Sequence, residues 1–148
     1  MEDHHKHQSL EVRSSLISGA GQGLFASSVG EGSDPVFRAG DRLPCTYTGT
    51  VLRFMQLVKM PEEDRDYVMG LHFNVHVDAK GHPEVLARYI NDRLEGQCPE
   101  GEDRHNVRFL KLPRNEPPLA AVVALRDIYG GEELYADYGS GYWKKHRR

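Results

Sequence analysis

Val122-Val123-Ala124-Leu125-Arg126-Asp127-Ile128, Gly131-Glu132-Glu133-Leu134-Tyr135-Ala136-Asp137-Tyr138-Gly139 and Tyr142-Trp143 follow one another near the end of a 148-residue chain. Upstream stand Arg88-Tyr89-Ile90-Asn91 and, after an interruption, Asn106-Val107-Arg108-Phe109. Val107, Phe109 and the apolar run 119–125 are strand candidates. Leu71, Phe73, Val75 and Val77 alternate with His72, Asn74, His76 and Asp78, which predicts one half-buried strand. It runs into Asp78-Ala79-Lys80-Gly81, a sequence suited to reversing the chain. The best helix candidate is 51–59, closing ahead of Pro61 because proline disfavours helical conformation in the residue before it. Glycine and proline clusters at 30–32, 96–101 and 115–118 predict loops. The sum is a mainly β domain with a few short helices.

Length and charge narrow the function classes. A chain of 148 residues suffices for one domain with a real core. Residues 10–143 are taken as that domain, 1–9 as a polar tail containing His4, His5 and His7, and 144–148 as a basic tail. Nineteen basic against 22 acidic residues give a net charge of −3. That balance argues against a general nucleic-acid binder, which needs a surplus of Lys and Arg on one face. Two cysteines, Cys45 and Cys98, cannot build an all-cysteine zinc site, and no metal is expected. No apolar run approaches the ~20 residues of a membrane span, and the polar N-terminus lacks the apolar region of a secretory signal. An intracellular setting is the expectation.

Gly19-Ala20-Gly21-Gln22-Gly23 has glycines at every second position, not the G-x-G-x-x-G that opens a helix in dinucleotide sites. Asp41 lies roughly where a ribose-binding acid would fall, but no helical stripe joins the two, so the dinucleotide reading is rejected. Glycines here make a turn or let the backbone approach something closely.

Taken in order, these pieces resemble the SET domain, the fold of most lysine methyltransferases. Gly21-Gln22-Gly23-Leu24-Phe25-Ala26 is similar to that family's first motif and Tyr47-Thr48-Gly49 to its tyrosine-x-glycine. Asp66-Tyr67 and Val77-Asp78-Ala79 flank the alternating strand as the family's pattern requires, and the likeness runs from about Leu16 to Trp143. The resemblance implies a β-rich, pseudoknot-like fold (a β-clip) in which the Asn91 segment lies beside the Tyr138 segment. S-adenosyl-L-methionine is the implied cofactor, a lysine-bearing protein such as a histone tail the implied substrate, and the nucleus the implied location.

Methyl transfer from a sulfonium to an amine needs a deprotonated nucleophile, in-line alignment and exclusion of water. Free lysine has a pKa of about 10.4, so on the order of one molecule in a thousand is nucleophilic at neutral pH. An apolar channel and a nearby positive sulfonium both lower that value. By resemblance, Tyr138 is the catalytic tyrosine and Tyr47 a second channel tyrosine; standing alone, each would read as an ordinary core or cross-strand tyrosine. Gly21, Gln22 and Gly23 are implied to lay backbone groups against the methionine part of the cofactor, with Tyr67 touching the same end. Asn91 and Asp92 match the asparagine-histidine pair that holds the cofactor at the crossing. Trp143 either stacks on the adenine or caps the C-terminal tail.

Three departures stand out. The usual asparagine-histidine-serine-cysteine run is Asn91-Asp92-Arg93-Leu94. An acidic insertion, 95–105, precedes Asn106 and reads as a solvated loop. The position two before the catalytic tyrosine, commonly aromatic, is Ala136, which leaves room for higher methylation states if no other aromatic fills the gap. Asp92 also motivates a competing expectation: a catalytically weak or inactive module, similar to PR domains, that binds a protein or chromatin partner.

Overall fold

A computed structural model describes residues 9–28, 34–139 and 142. The elements in chain order are β1 (Leu10–Ser14), β2 (Gln22–Ala26), β3 (Arg42–Tyr47), β4 (Thr50–Leu52), α1 (Phe54–Val58), β5 (Val68–His72), β6 (Val75–Asp78), β7 (Val107–Leu112) and β8 (Leu119–Ala124). Short 3-10 turns occupy Glu62–Asp64, Leu86–Tyr89 and Glu95–Gln97. The sheets are β1-β2, β3-β8-β7 and β4-β6-β5, so the expected mainly β architecture holds. The chain forms two compact units. One comprises the described parts of Met1–Pro44, Tyr89–Arg108 and Val123–Arg148; the other comprises Cys45–Arg88 and Phe109–Val122.

The first unit is built on the β1-β2 hairpin, in register from Leu10↔Ala26 to Ser14↔Gln22. Leu24, Phe25 and Ala26 are buried, because β2 has neighbours on both sides: β1, and Glu133 through an antiparallel bridge from Phe25. Leu134 N–H donates to the Leu24 carbonyl (2.8 Å) and Ala26 N–H to Glu132 (2.8 Å). Ile90, Val107, Ile128 and Leu134 are wholly buried beside them.

The second unit centres on β4-β6-β5, in which Val77 pairs with Val51 and Met69. The run read as one strand is two: Phe73-Asn74 turns the chain between β5 and β6. The alternation survives a two-residue turn, so period alone does not reveal it, and Phe73 ends 75% exposed. Asn74 is the turn former. Its Oδ1 accepts the Phe54 N–H (2.8 Å), which also ties down the start of α1.

The helix is shorter than expected, Phe54–Val58 rather than 51–59. Val51 and Leu52 pair with β6, where a β-branched residue fits the pleat, so the helix begins only after Arg53. The Arg53 N–H donates to Gln56 Oε1 (2.7 Å) across the first turn. The turn after β6 is as expected, with Lys80 N–H donating to Asp78 Oδ1 (3.0 Å). The loop expected at 30–32 lies outside the described residues.

Candidate functional site

The glycine loop joins β1 to β2, and its two key glycines serve different ends. Gly21 has φ +73° and open space where a Cβ would stand, so it is required by the turn alone. The turn is closed by Ser15 N–H donating to the Gly21 carbonyl (2.8 Å). Gly23 is extended and buried, and a Cβ there would stand 2.3 Å from Glu133 Oε2. The close approach that Gly23 permits is therefore to a protein carboxylate. Gln22, between them, is exposed.

Glu133 is 3% exposed and gathers the loop around itself. Its Oε2 accepts from Ser15 Oγ (2.7 Å) and Asn91 Nδ2 (3.4 Å). Its Oε1 accepts from Leu16 N–H (2.8 Å) and the Tyr135 hydroxyl (2.9 Å). Burial, then the hydrogen bond to Glu133 and its charge, raise the Tyr135 hydroxyl well above the ordinary phenol range, so it serves as a neutral donor.

Asn91 lies at the crossing that the resemblance implies. It forms a parallel bridge with Tyr135, its carbonyl accepts the Ala136 N–H (2.9 Å), and its side-chain amide donates to the Gln22 carbonyl (3.0 Å). The strand-like segment carrying Asn91 thus lies beside that leading to Tyr138. Asn106 locks the crossing further, donating to the Glu133 carbonyl (2.9 Å) and accepting from Tyr135 N–H (2.8 Å).

Asp92, the departure from the family's pattern, is wholly buried. Its Oδ1 accepts from His105 Nε2 (2.6 Å), with Arg104 Nη2 at 3.8 Å, and its Oδ2 accepts the Tyr138 N–H (3.0 Å). The Tyr138 hydroxyl donates to the Ile90 carbonyl (2.5 Å), and the Tyr142 ring meets the Tyr138 ring edge-on at 4.8 Å. Tyr138 is thereby held at its backbone and at its hydroxyl. Because the hydroxyl proton is committed to Ile90, the phenol oxygen offers lone pairs to other donors. Ala136 is wholly buried.

The insertion 95–105 is not simply a solvated loop. Arg93 stacks on the Tyr135 ring (4.4 Å), reaches Glu102 (3.3 Å) and donates to the Asp103 carbonyl, while Arg104 Nε donates to the Arg93 carbonyl (3.0 Å). Its last residues are fastened to the segment that follows Asn91.

Tyr47 and Tyr67 belong to the second unit. The Tyr47 hydroxyl donates to the Tyr67 carbonyl (2.6 Å), and its ring meets Phe109 edge-on at 5.8 Å. The Tyr67 ring carries the Arg88 guanidinium at 4.4 Å. Trp143 lies outside the described residues, as do the tails 1–8 and 144–148. Among the described residues no cluster of three or more His, Cys, Asp or Glu could hold a metal ion, and no helix is long and apolar enough to cross a membrane.

Sequence reasoning missed Ser15, Glu133 and His105. A signal existed for His105. A carboxylate at the crossing must find a cation or several donors once buried, and the insertion ends in Arg104-His105.

No family model and no curated protein matches the chain. Its structure is similar to a chain of an active polycomb repressive complex 2 in the basal state, at 24% identity and TM-score 0.64, over 90% of this chain and 15% of that one. The Chaetomium thermophilum polycomb repressive complex 2 matches at 22% identity and TM-score 0.63, with 90% and 15% covered. A third match, ctPRC2 in an autoinhibited conformation bound to S-adenosylmethionine, has 24% identity and TM-score 0.64, with 93% and 16% covered. The fold is the SET fold. The chain spans about one-sixth of the length of the chains it matches, so the SET fold is what the likeness carries.

Proposed function

We propose that the chain is an S-adenosyl-L-methionine-dependent methyltransferase acting on lysine side chains of a protein substrate, histone tails included. The observation that carries this reading is the arrangement at the crossing: the Gln22 carbonyl, the Asn91 amide and a doubly anchored Tyr138 on one framework. The similar chain in the S-adenosylmethionine-bound complex, and another in a complex with H3K27me3 and H3K27M, support the cofactor and substrate classes. A nuclear setting follows from the same reading.

The residues fit the cofactor. Exposed Gly21-Gln22 form an open rim beside Asn91, whose side-chain oxygen and whose neighbouring Gln22 carbonyl are acceptors suited to an α-ammonium. When bound, S-adenosyl-L-methionine supplies an electrophilic methyl group on a sulfonium. Asn91 and Gln22 hold the amino-acid end. Tyr138, with its proton on Ile90, presents an acceptor oxygen that orients the incoming amine by its N–H groups. Fixed backbone anchors keep that oxygen from turning away, which is positioning rather than proton chemistry. Tyr47 and Tyr67 carry the roles implied by resemblance alone, lysine orientation and cofactor contact.

A second reading is a SET-like module without activity, favoured by Asp92, whose carboxylate is spent on His105 and Tyr138 N–H. Calorimetric titration with S-adenosylhomocysteine separates the two. Binding by the native chain that is lost in Asn91→Ala supports the enzyme. Absence of binding, with no methyl transferred from labelled cofactor to core histones or other basic proteins, overturns it.

A further inference from the structure

Asp92, His105 and Tyr138 form a single relay. The carboxylate is wholly buried and uses both oxygens, Oδ1 toward His105 Nε2 at 2.6 Å and Oδ2 toward the Tyr138 N–H at 3.0 Å. A carboxylate out of water holds its orientation only as well as its donors do. If the donor on Oδ1 is removed, the carboxylate loses its shortest hydrogen bond, and the grip of Oδ2 on the Tyr138 amide loosens with it. A second anchor of Tyr138, its hydroxyl on the Ile90 carbonyl, comes from the residue two before Asp92. Both anchors therefore rise from one short segment, and His105 is what braces it from the insertion side. Arg104, more exposed, stands farther off, its Nη2 at 3.8 Å from Oδ1, and neutralises charge.

We infer that His105 is a positioning residue: through Asp92 it fixes the backbone of Tyr138, and the insertion 95–105 exists in part to deliver that imidazole. This rests on the proposed methyltransferase reading for its effect on rate, though not for its effect on Tyr138 itself. The relay also explains how an aspartate can stand at the crossing without unseating the tyrosine. The side chain that replaces an in-line imidazole recruits one from thirteen residues further along the chain.

The test uses the full chain with His105→Gly and His105→Gln, the latter retaining an amide N–H that can reach Asp92. Two quantities are read: hydrogen exchange at the Tyr138 amide, and kcat with the cofactor dissociation constant for transfer to core histones. His105→Gly is expected to speed Tyr138 amide exchange and to lower kcat by about a hundredfold, the usual consequence of a small misplacement of a reacting group. Cofactor affinity stays unchanged. Added imidazole restores both readouts in His105→Gly, and His105→Gln retains most of each. The inference is overturned if Tyr138 exchange is unchanged in folded His105→Gly, or if the loss lies in cofactor affinity with kcat intact. It is equally overturned if imidazole restores neither readout. A native chain that transfers no methyl sinks the proposed function, while the exchange arm still decides whether His105 braces Tyr138.

Discussion

Replacing Gly23 by alanine should strike the site through Glu133. An ideal Cβ at position 23 stands 2.3 Å from Glu133 Oε2, 3.0 Å from its carboxyl carbon and 3.3 Å from Ser15 Cα. Ordinary contact begins near 3.4 Å, so the carboxylate must retreat by about 1 Å. The far end of a glutamate usually moves cheaply, but this one is 3% exposed and pinned by Ser15 Oγ, Asn91 Nδ2, Leu16 N–H and the Tyr135 hydroxyl. Oε2 would lose Ser15 and Asn91. A hydrogen bond to a charged group contributes about 1.5–3 kcal/mol, so Gly23→Ala should cost about 2–4 kcal/mol of folding free energy. Urea unfolding measures this, with a lower midpoint at unchanged slope. In a Glu133→Ala background the clash is gone, and the two changes should be non-additive by about 2 kcal/mol. Gly21→Ala is the internal contrast, costing about 1–2 kcal/mol for left-handed backbone alone and adding independently of Glu133. A Gly23→Ala cost below about 0.5 kcal/mol, the range of ordinary surface changes, or one that is equal in both backgrounds, would refute the assignment of Gly23 to Glu133.

Other outcomes follow from the same framework. Asn106→Ala strips the acceptor from Tyr135 N–H and the donor from the Glu133 carbonyl, both buried, and should destabilise by about 2–4 kcal/mol in the same urea assay. His76 is buried with an Nδ1 that has no hydrogen-bond partner; burial lowers its pKa below 6.5, outweighing the raising effect of a Leu52 backbone hydrogen bond. The unfolded chain therefore binds more protons below that pH, so stability should fall as pH drops through 6.5, and His76→Leu should flatten that slope. Burial pushes the Cys45 thiol up to about 12, so iodoacetamide should modify Cys98 faster than Cys45; mass spectrometry of the native protein at neutral pH checks the order.

Local chemistry made some features legible in the sequence and left others hidden. The β7 and β8 runs declared themselves because apolar and β-branched residues cluster there. Asn91 beside the C-terminal segment was what the resemblance to the SET domain implied. The hairpin at Phe73-Asn74 did not, because a tight turn leaves the period-2 pattern intact. Nor did the late start of α1, since Val51 and Leu52 satisfy a helical pattern until β6 claims them. Gly23 looked like a ligand contact, and only the packing identifies Glu133 as what fills the space. His105 stood out only once Asp92 was weighed as a carboxylate that, when buried, needs a cation or donor; the structure supplies that partner from the end of the insertion.

The central claim is methyl transfer governed by Tyr138. Native chain and Tyr138→Phe are each incubated with methyl-labelled S-adenosyl-L-methionine and core histones, and lysines are then mapped by mass spectrometry. The phenylalanine keeps the backbone bond to Asp92 but removes the oxygen. Label on lysine with the native chain, and its loss in Tyr138→Phe with cofactor affinity retained, is the predicted result. Transfer undiminished in Tyr138→Phe, or absent from a native chain that binds the cofactor, would contradict it.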